Sequence, residues 1–371
     1  TGVQTCALPI CPPPSKQSRR VKTGIVSFMD IECTATSRFM HRSLLVGVLA
    51  AILLVFSTAA TSAEPFPCAY SAVRDAGWAE AVLKVHEPRL LVEFAERVAG
   101  WQATAIPDGG WLLHDAAYGV GTLRVLRAAP RTPRPAPYRP WDTGGLFSVM
   151  TRSNDLNGAF AAATALGWSA ANTPVTLEFG GVTLANVVLR GASGVNVAIY
   201  ERLQPRMPDE PDLRKLRRPF NAMQVVHDLP RAKSFYVDLL GFSTLASGRF
   251  RTPPGSPNNF GIPAPIADGA ALDYMILAPS TTGSTQIEVV SFAGVDSRPR
   301  RARDFEAVGL VALRFPVRSL TELRKRLSLA NYPYETATIL LPPYGETTGI
   351  RVRSPEGARL EFFTLESTVC R

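Results

Sequence analysis

The chain has 371 residues, of which 46% are hydrophobic and 19% charged. This composition is ordinary for a globular protein, and the length allows roughly two domains. The formal net charge is +9, but much of the arginine excess falls in two proline-rich stretches, 127–139 and 298–303. No stretch alternates basic residues with aromatic ones in the manner of a nucleic-acid-binding face, so we expect no nucleic-acid partner.

The first 63 residues have the pattern of a targeting segment rather than of a folded domain. Residues 1–39 begin with TGVQTCALPI, which resembles a translated sequencing adapter, and we interpret them as artefactual upstream translation. Arg38 and Arg42 then precede an apolar run, 44–56, and a small-residue site that ends at Ala63. This pattern is typical of a secretory signal peptide, here 40–63. The run is shorter than the roughly 20 residues that span a bilayer, so we expect cleavage near Ala63 and export to the periplasm or medium, without a permanent membrane anchor.

Cysteine usage leaves two alternatives open. Of the five cysteines, only Cys68 and Cys370 lie after the expected signal peptide. In an oxidising compartment these two residues either form one disulfide that joins the ends of the chain or remain free thiols.

Residues 221–242, NAMQVVHDLPRAKSFYVDLLGF, predict a strand followed by a capped helix. We expect a buried strand over 222–226, and the carboxylate of Asp228 can accept hydrogen bonds from the first helical turn. Apolar residues recur at helical spacing until Gly241, which suits the left-handed conformation that ends a helix. The stretch AEAVLKVHEPRLLVEFAERVAGW repeats this pattern, with Gly100 in the place of Gly241. A repeat of this length at a constant offset indicates duplication of a whole domain.

Two weaker copies of the strand–helix unit are expected, one with Asp155 before its helix and one with Ser319 in that position. Each unit precedes several runs of strand-like alternation. We therefore predict an α+β fold of four βαβββ modules, paired into two domains at 64–202 and 220–371. The proline- and charge-rich segment 203–219 is the expected linker. A long Gly/Pro/Asn loop, 251–269, is of the kind that often serves as a lid or binding loop.

Two stretches of the second predicted domain carry a resemblance to a known family. VVHDLPRAKSFYVDLLGF and SPEGARLEFFTLE resemble the opening and closing signatures of the vicinal-oxygen-chelate superfamily, which includes glyoxalases, extradiol dioxygenases and bleomycin-resistance proteins. The resemblance is good over 220–366 and faint over 78–202. It implies glyoxalase-like, cup-shaped domains in which two modules pair and the active site lies inside the cup. The first domain would be a degenerate partner of the second.

The resemblance also implies a set of site residues. Metal ligands in this family typically come from the first and last strand of each module. In the second domain those positions fall on Asn221, Ala312, Glu288 and Glu361. In the first domain they fall on Glu80, Arg124, a residue near Gly145, and Ala198. None of the identified positions is histidine. We therefore expect Glu288 and Glu361 to face each other across the cup as a catalytic pair, with ligand contacts from Asn221, Met223 and His227.

Three interpretations of the two glutamates stay open. They line a ligand cup without a tightly bound metal, in which case their repulsion would raise one pKa and leave a shared proton. Alternatively, Glu288 and Glu361, with Asn221, hold a divalent metal such as Mg, Ca or Mn weakly; the cofactor is otherwise unknown. In the third, the side chains point outward without a chemical role, because a slip of one residue turns a strand side chain to the opposite face. His227 has an alternative too, a hydrogen bond to a nearby backbone carbonyl.

The sequence thus predicts an exported protein that binds a small molecule in the cup of its second domain, without a tightly bound transition metal. Two alternatives remain: a metal-dependent lyase or dioxygenase, and a non-catalytic structural or envelope-interaction protein. One scaffold hosts many chemistries, so the fold does not choose among them. Whether the chain is an enzyme, what its ligand is, and its oligomeric state are left open.

Overall fold

The computed structural model describes residue 70 and residues 73–116, 119–134, 136–191, 194–206 and 215–365. The expected upstream translation (1–39), the expected signal peptide (40–63), Cys68 and Cys370 lie outside these residues, as does the middle of the expected linker. Within the described ranges, no helix is both long enough and apolar enough to cross a membrane.

The first sheet has eight strands. Side by side, they are β15 (Tyr334–Leu340), β16 (Glu346–Arg353), β17 (Arg359–Thr364), β14 (Gly309–Val317), β1 (Glu80–Val85), β4 (Thr122–Arg127), β3 (Gly110–His114) and β2 (Gln102–Ile106).

The second sheet has nine strands. In the same manner, they are β11 (Ser243–Phe250), β12 (Ala271–Ala278), β13 (Gln286–Ala293), β10 (Asn221–Val225), β5 (Ser148–Arg152), β9 (Asn196–Gln204), β8 (Val182–Arg190) and β6 (Ser169–Ala170), with β7 (Val175–Phe179) also paired to β8.

Short helices connect the strands. They are α1 (Pro88–Glu93), which continues as a π-helical turn (Phe94–Ala99); α2 (Leu156–Ala165); α3 (Leu229–Lys233), which continues as a π-helical turn (Ser234–Leu239); α4 (Ala264–Ala267); α5 (Ala302–Glu306); α6 (Leu320–Leu329); and a 3-10 turn (Pro107–Gly109).

The predicted helix boundaries are confirmed where a local signal fixed them. Asp155, Asp228 and Ser319 each cap a helix by accepting a backbone N–H three residues ahead. Gly100 and Gly241 follow the two π-helical turns with φ of +73° and +78°, the left-handed conformation that glycine adopts at low cost.

The element order repeats, but the repeats pair differently from the prediction. The order βαβββ holds for β1–β4, β10–β13 and β14–β17, while β5–β9 contains one additional strand. The first sheet joins the first and last repeats, with β1 antiparallel to β14. The second sheet joins the two middle repeats, with β10 antiparallel to β5. The predicted domains 64–202 and 220–371 are therefore wrong: each sheet takes strands from both, and segment 203–219 joins two strands of one sheet.

The physical reason is that a sequence repeat identifies a structural unit but does not identify the other unit with which it pairs in a sheet. The first strand of every repeat offers an unpaired edge, and any other first strand of similar apolar character can pair with it. Two segments consequently cross between the sheets. Residues 128–147 lead from β4 to β5, and residues 294–308 lead from β13 to β14.

One hydrophobic core lies on the helix-covered side of both sheets. It includes Leu83 of β1, Val149 of β5 and Leu327 of α6, all fully buried. Because strand side chains alternate between faces, the neighbouring positions of the same strands point to the opposite face. That opposite face carries the polar positions implied by the family resemblance.

Candidate functional site

Glu288 and Glu361 do not meet. Glu288 lies on β13, opposite Met223 of β10 in the second sheet. Glu361 lies on β17, opposite Arg314 of β14 in the first sheet. The prediction of a facing catalytic pair, or of a metal held by both, is therefore wrong, because it assumed that the third and fourth repeats share one sheet.

In the first sheet, Glu80 is an entirely buried carboxylate with three partners. Arg124 donates from Nε to Oε2 at 2.7 Å and from Nη2 to Oε1 at 2.6 Å. The hydroxyl of Tyr70 donates to Oε1 at 2.5 Å, and Arg314 donates to Oε2 at 3.1 Å. Burial alone would raise the pKa of Glu80, but the charge and hydrogen bonds of Arg124, with help from Arg314 and Tyr70, lower that pKa to about 2. The carboxylate is therefore ionised and neutralised inside the protein.

Glu361 belongs to the same network of charges. It accepts hydrogen bonds from Nε of Arg314 at 2.8 Å and from Nε of Arg351 at 3.1 Å, and Nε of Arg359 lies 3.4 Å away. Burial raises the pKa of Glu361, yet the charges of Arg314 and Arg359 outweigh it and lower the pKa. Arg314 bridges Glu80 and Glu361, so the predicted catalytic residue Glu361 is one end of an ion-pair network.

The residues of the first sheet do not fit a metal ion. The positions expected to supply ligands are Glu80, Arg124, Ala312 and Glu361, which the structure brings to one face. The fully buried guanidinium of Arg124 already neutralises Glu80, and it also donates to the backbone oxygen of Pro342. Ala312 offers no donor atom. A guanidinium among the ligand positions would repel a metal cation, so these positions of the first sheet do not suit a metal site.

In the second sheet, Glu288 is buried without a cation. Its side chain is 7% exposed, and its hydrogen-bond partner is the amide of Asn221, with Nδ2 3.4 Å from Oε2. No described lysine or arginine forms an ion pair with it, and burial raises its pKa from 4.5 to about 7. Burial, followed by the charge of Glu288, raises the pKa values of Tyr200 and Tyr274. Both rings therefore lie within the electrostatic influence of this carboxyl.

The surroundings of Glu288 are mostly apolar, with a few hydrogen-bonding groups. Met223 lies between Glu288 and Ser148 in strand register. The Oγ of Ser148 is buried and has no hydrogen-bond partner among the described residues. Met150 and Met223 belong to one buried cluster on this face. Two of the predicted ligand contacts, Asn221 and Met223, thus lie beside Glu288.

The predicted loop 251–269 covers this face. Phe260, Ile262 and Ala267 are buried in the same cluster as Met150 and Met223. The ring of Phe260 packs edge-on against Phe292 with centroids 5.1 Å apart. The loop therefore fills the space in front of the second sheet with its own side chains.

His227 lies elsewhere. It follows the end of β10, where its side chain is exposed and its backbone N–H donates to Oε1 of Glu356 at 2.7 Å. Its carbonyl accepts from the hydroxyl of Ser291. The structure does not bring His227 to Glu288, because it lies four residues beyond Met223 along the chain.

The second sheet does not fit a tightly bound transition metal either. Among the polar residues named around it, Glu288 is the one carboxylate, and Asn221 and Ser148 add only neutral oxygen atoms. Iron and zinc sites in proteins are built mainly on imidazole and thiolate ligands, sometimes with a carboxylate. Across the described part of the chain, no group of three or more His, Cys, Asp or Glu side chains could hold a metal ion.

Sequence reasoning missed Arg314, Tyr200 and Ser148. Period-2 alternation could have indicated the first two, because Arg314 and Tyr200 lie two residues after the predicted positions Ala312 and Ala198 and so share their faces. Ser148 lies seven residues before the capping residue Asp155, just as Asn221 lies seven residues before Asp228. This spacing identifies Ser148 as the first-strand position of the second repeat, which the prediction placed near Gly145.

The comparisons with known proteins agree with this architecture. No protein-family profile and no curated protein sequence matches the chain. Among solved structures, glyoxalase I from Zea mays aligns with a TM-score of 0.55 and 14% identity over 78% of this chain and 92% of that chain. A single-residue variant of the same enzyme gives a TM-score of 0.54 and 13% identity over 80% and 97%. At these identities the likeness establishes the fold alone. The chain therefore has a mixed α+β fold like that of glyoxalase I, which agrees with the glyoxalase-like fold that the sequence resemblance implies.

Proposed function

We propose that this protein binds a small molecule on the second sheet, at Glu288, without a tightly held transition metal. One observation supports the site above all: Glu288 is a buried carboxyl with no cation beside it. Raising its pKa from 4.5 to about 7 costs about 3 kcal/mol of folding stability at pH 8. A ligand that pairs with this carboxyl would offset that cost. Glu80 and Glu361 do not carry this cost, because arginines already neutralise them.

The neighbours of Glu288 define the class of ligand. Met150, Met223 and Phe260 offer apolar contact, while Asn221 and Ser148 offer hydrogen bonds. Such a site suits a compact apolar molecule that carries one polar group. An ammonium group would form an ion pair with the ionised carboxylate. A carbonyl or hydroxyl oxygen would instead accept a hydrogen bond from the protonated form, which is substantially populated near pH 7.

Entry of a ligand requires the loop 251–269 to move. In the closed arrangement the ring of Phe260 and the side chain of Ile262 occupy the space over Met150 and Met223. We propose that the loop is a lid, whose side chains substitute for the ligand when the site is empty. This assignment extends the sequence-based expectation for the loop.

Calorimetric titration tests the site. A graded series of amines, from propylamine to phenethylamine, is compared at pH 8 with alcohols of matched size, using the wild type and Glu288→Gln. We expect at least one amine to bind saturably to the wild type and at least 10-fold more weakly to Glu288→Gln. The matched control is Glu178→Gln, which removes an exposed carboxylate from β7 of the same sheet and should bind as the wild type does. If neither series binds, or if Glu288→Gln binds equally well, the site is not at Glu288.

Elemental analysis separates this proposal from a metal-dependent lyase or dioxygenase. We expect the purified protein to contain well under one equivalent of any transition metal. A stoichiometric metal that a chelator removes together with ligand binding would contradict the metal-free part of the proposal.

We further propose that the protein is exported, on the strength of the sequence pattern at 38–63. Intact-mass measurement of protein expressed with its leader in a secreting host should show cleavage near Ala63, and an uncleaved product would refute this assignment.

A further inference from the structure

The two segments that cross between the sheets meet beside a cleft. At their meeting point, the N–H of Thr143 donates to the carbonyl of Arg298 at 2.9 Å, and the N–H of Arg300 donates to the carbonyl of Thr143 at 2.8 Å. The cleft between the segments has a volume of about 420 Å³. This volume lies in the range of small-molecule pockets. The residues named around Glu288 do not line it.

Arginine dominates the lining of this cleft. Its walls contain four arginines, Arg139, Arg298, Arg300 and Arg301, and two carboxylates, Asp142 and Asp304, so the lining carries a net charge of +2. Three of the arginines are partly neutralised: Arg139 pairs with Asp142, Arg301 with Asp304, and Arg298 with Asp296 just outside the cleft. Arg190, stacked nearby on the ring of Tyr138, adds a further positive charge that offsets Asp296.

Arg300 differs from these three arginines because it forms no ion pair with a carboxylate among the described residues. Its guanidinium lies over the ring of Tyr138, 3.8 Å from the centroid, and donates from Nη1 to the carbonyl of Gly144 at 3.1 Å. Its Nε is buried and has no hydrogen-bond partner among the described residues. Burial lowers the pKa of Arg300, which reflects the cost of holding this cation away from water. The cleft therefore contains a preoriented guanidinium that forms no ion pair with a described carboxylate and feels the charges of Asp304 and Asp142 only from a greater distance.

We propose that this cleft binds a small molecule through a phosphate group. A phosphate monoester carries about two negative charges near neutral pH, which matches the excess charge of the lining. A guanidinium is a planar group whose N–H donors match the spacing of phosphate oxygens, and four such groups line the cleft. The stacking on Tyr138 fixes the plane of Arg300, so little side-chain freedom is lost on binding. This site goes beyond the proposed function, because it is separate from Glu288 and requires no movement of loop 251–269.

Calorimetric titration of the full chain with phenyl phosphate in low-salt buffer tests the proposal. We expect saturable binding at one site and at least 10-fold weaker binding to Arg300→Gln. The matched control is Arg249→Gln, which removes one arginine charge at an exposed pair with Asp273 on the second sheet and should change the affinity less than twofold. Absence of saturable binding to the wild type would overturn the proposal, as would an equal loss in Arg249→Gln, which would indicate long-range attraction only.

Two further variants keep the test decisive if Arg300→Gln fails to fold. Arg298→Gln alters a side chain that is 73% exposed and should weaken binding several-fold. Asp304→Asn removes a carboxylate from the lining and releases Arg301, so it should tighten binding several-fold, an effect that a merely structural role would not produce. An unchanged affinity in both variants overturns the proposal. Binding of a single-stranded oligonucleotide far tighter than phenyl phosphate would also overturn it, because the cleft would then serve a polyanion.

Discussion

Glu80 and Glu288 are buried carboxyls on the faces of two similar sheets, yet their surroundings shift their pKa values in opposite directions. Arg124 and Arg314 surround Glu80 and lower its pKa to about 2. Burial without a cation raises the pKa of Glu288 to about 7. A buried ion pair contributes little net stability, but removing one of its two partners is costly because the other charge stays buried and unpaired. A lone buried carboxyl destabilises the fold whenever it is ionised. The contributions of these two carboxyls to folding stability therefore change with pH in opposite directions.

The raised pKa of Glu288 predicts a specific pH window. As the pH rises, the folded protein keeps the proton on Glu288 to a higher pH than the unfolded chain does. The contribution of Glu288 to stability is therefore greatest below about pH 4.5 and falls as the pH rises towards 7. Relative to Glu288→Gln, the wild type should lose about 3 kcal/mol of unfolding free energy between pH 4.5 and 8. Urea denaturation of both proteins across this range measures the difference. A constant difference would mean that Glu288 has an ordinary pKa.

The lowered pKa of Glu80 predicts the reverse. Its contribution is present above about pH 4.5 and is lost as the pH falls towards 2. At pH 7, Arg124→Met should cost about 3–5 kcal/mol, because it leaves a buried carboxylate only partly paired. Adding Glu80→Gln to Arg124→Met should restore part of that stability. Urea denaturation of the two single variants and the double variant forms the necessary cycle, and simple additivity would refute the pairing.

At the scale of single elements, local signals in the sequence predict helices well. Asp155, Asp228 and Ser319 act on backbone N–H groups three residues away, so the sequence alone contains both partners of each cap. The burial of Phe260 could not be predicted in this way. Its ring packs against Phe147, which directly precedes β5 of another repeat, and against Phe292, which lies on β13. Contacts of that range depend on how the repeats pair, which local patterns leave undetermined.

The loop 251–269 should loosen when its anchor is removed. Phe260→Ala deletes a ring that is 5% exposed and should cost about 3 kcal/mol. It should also accelerate proteolysis and amide hydrogen exchange within the loop, because fewer buried contacts hold it. Ile266→Ala is the matched control, since this side chain in the same loop is 42% exposed. Equal effects of the two substitutions would show that Phe260 does not anchor the loop.

At the scale of the whole molecule, the repeated units could be predicted but their partners could not. The strands β1 and β10 have similar apolar faces and the same unpaired edge, and their sequences do not state that β1 pairs with β14 and β10 with β5. The carried-over site failed for the same reason. Glu361 is brought together with Glu80, through Arg314, rather than with Glu288, because the positions were assigned as if the third and fourth repeats shared one sheet.

The observed pairing predicts how the chain behaves when cut. Each sheet contains strands from both sides of residues 207–214, so fragments ending at 206 and beginning at 215 should not fold separately. Co-expressed, they should associate and unfold in a single cooperative transition, as measured by circular dichroism and calorimetry. Had the predicted domains 64–202 and 220–371 been correct, each fragment would fold alone. Cooperative unfolding of either isolated fragment would therefore contradict the topology.

The pairing of the first and last repeats also brings the first and last strands of the described residues close together. β14 separates β1 from β17, and β1 runs antiparallel to both. The start of β1 and the end of β17 consequently lie at the same end of the first sheet, roughly 14 Å apart, because two strand spacings separate them across the sheet and three residues separate their partners Arg314 and Val317 along β14. A circular permutant that fuses these ends through a short tether and opens between 206 and 215 would preserve every strand neighbour. The linear order of the chain is thus one of several orders that could encode this architecture.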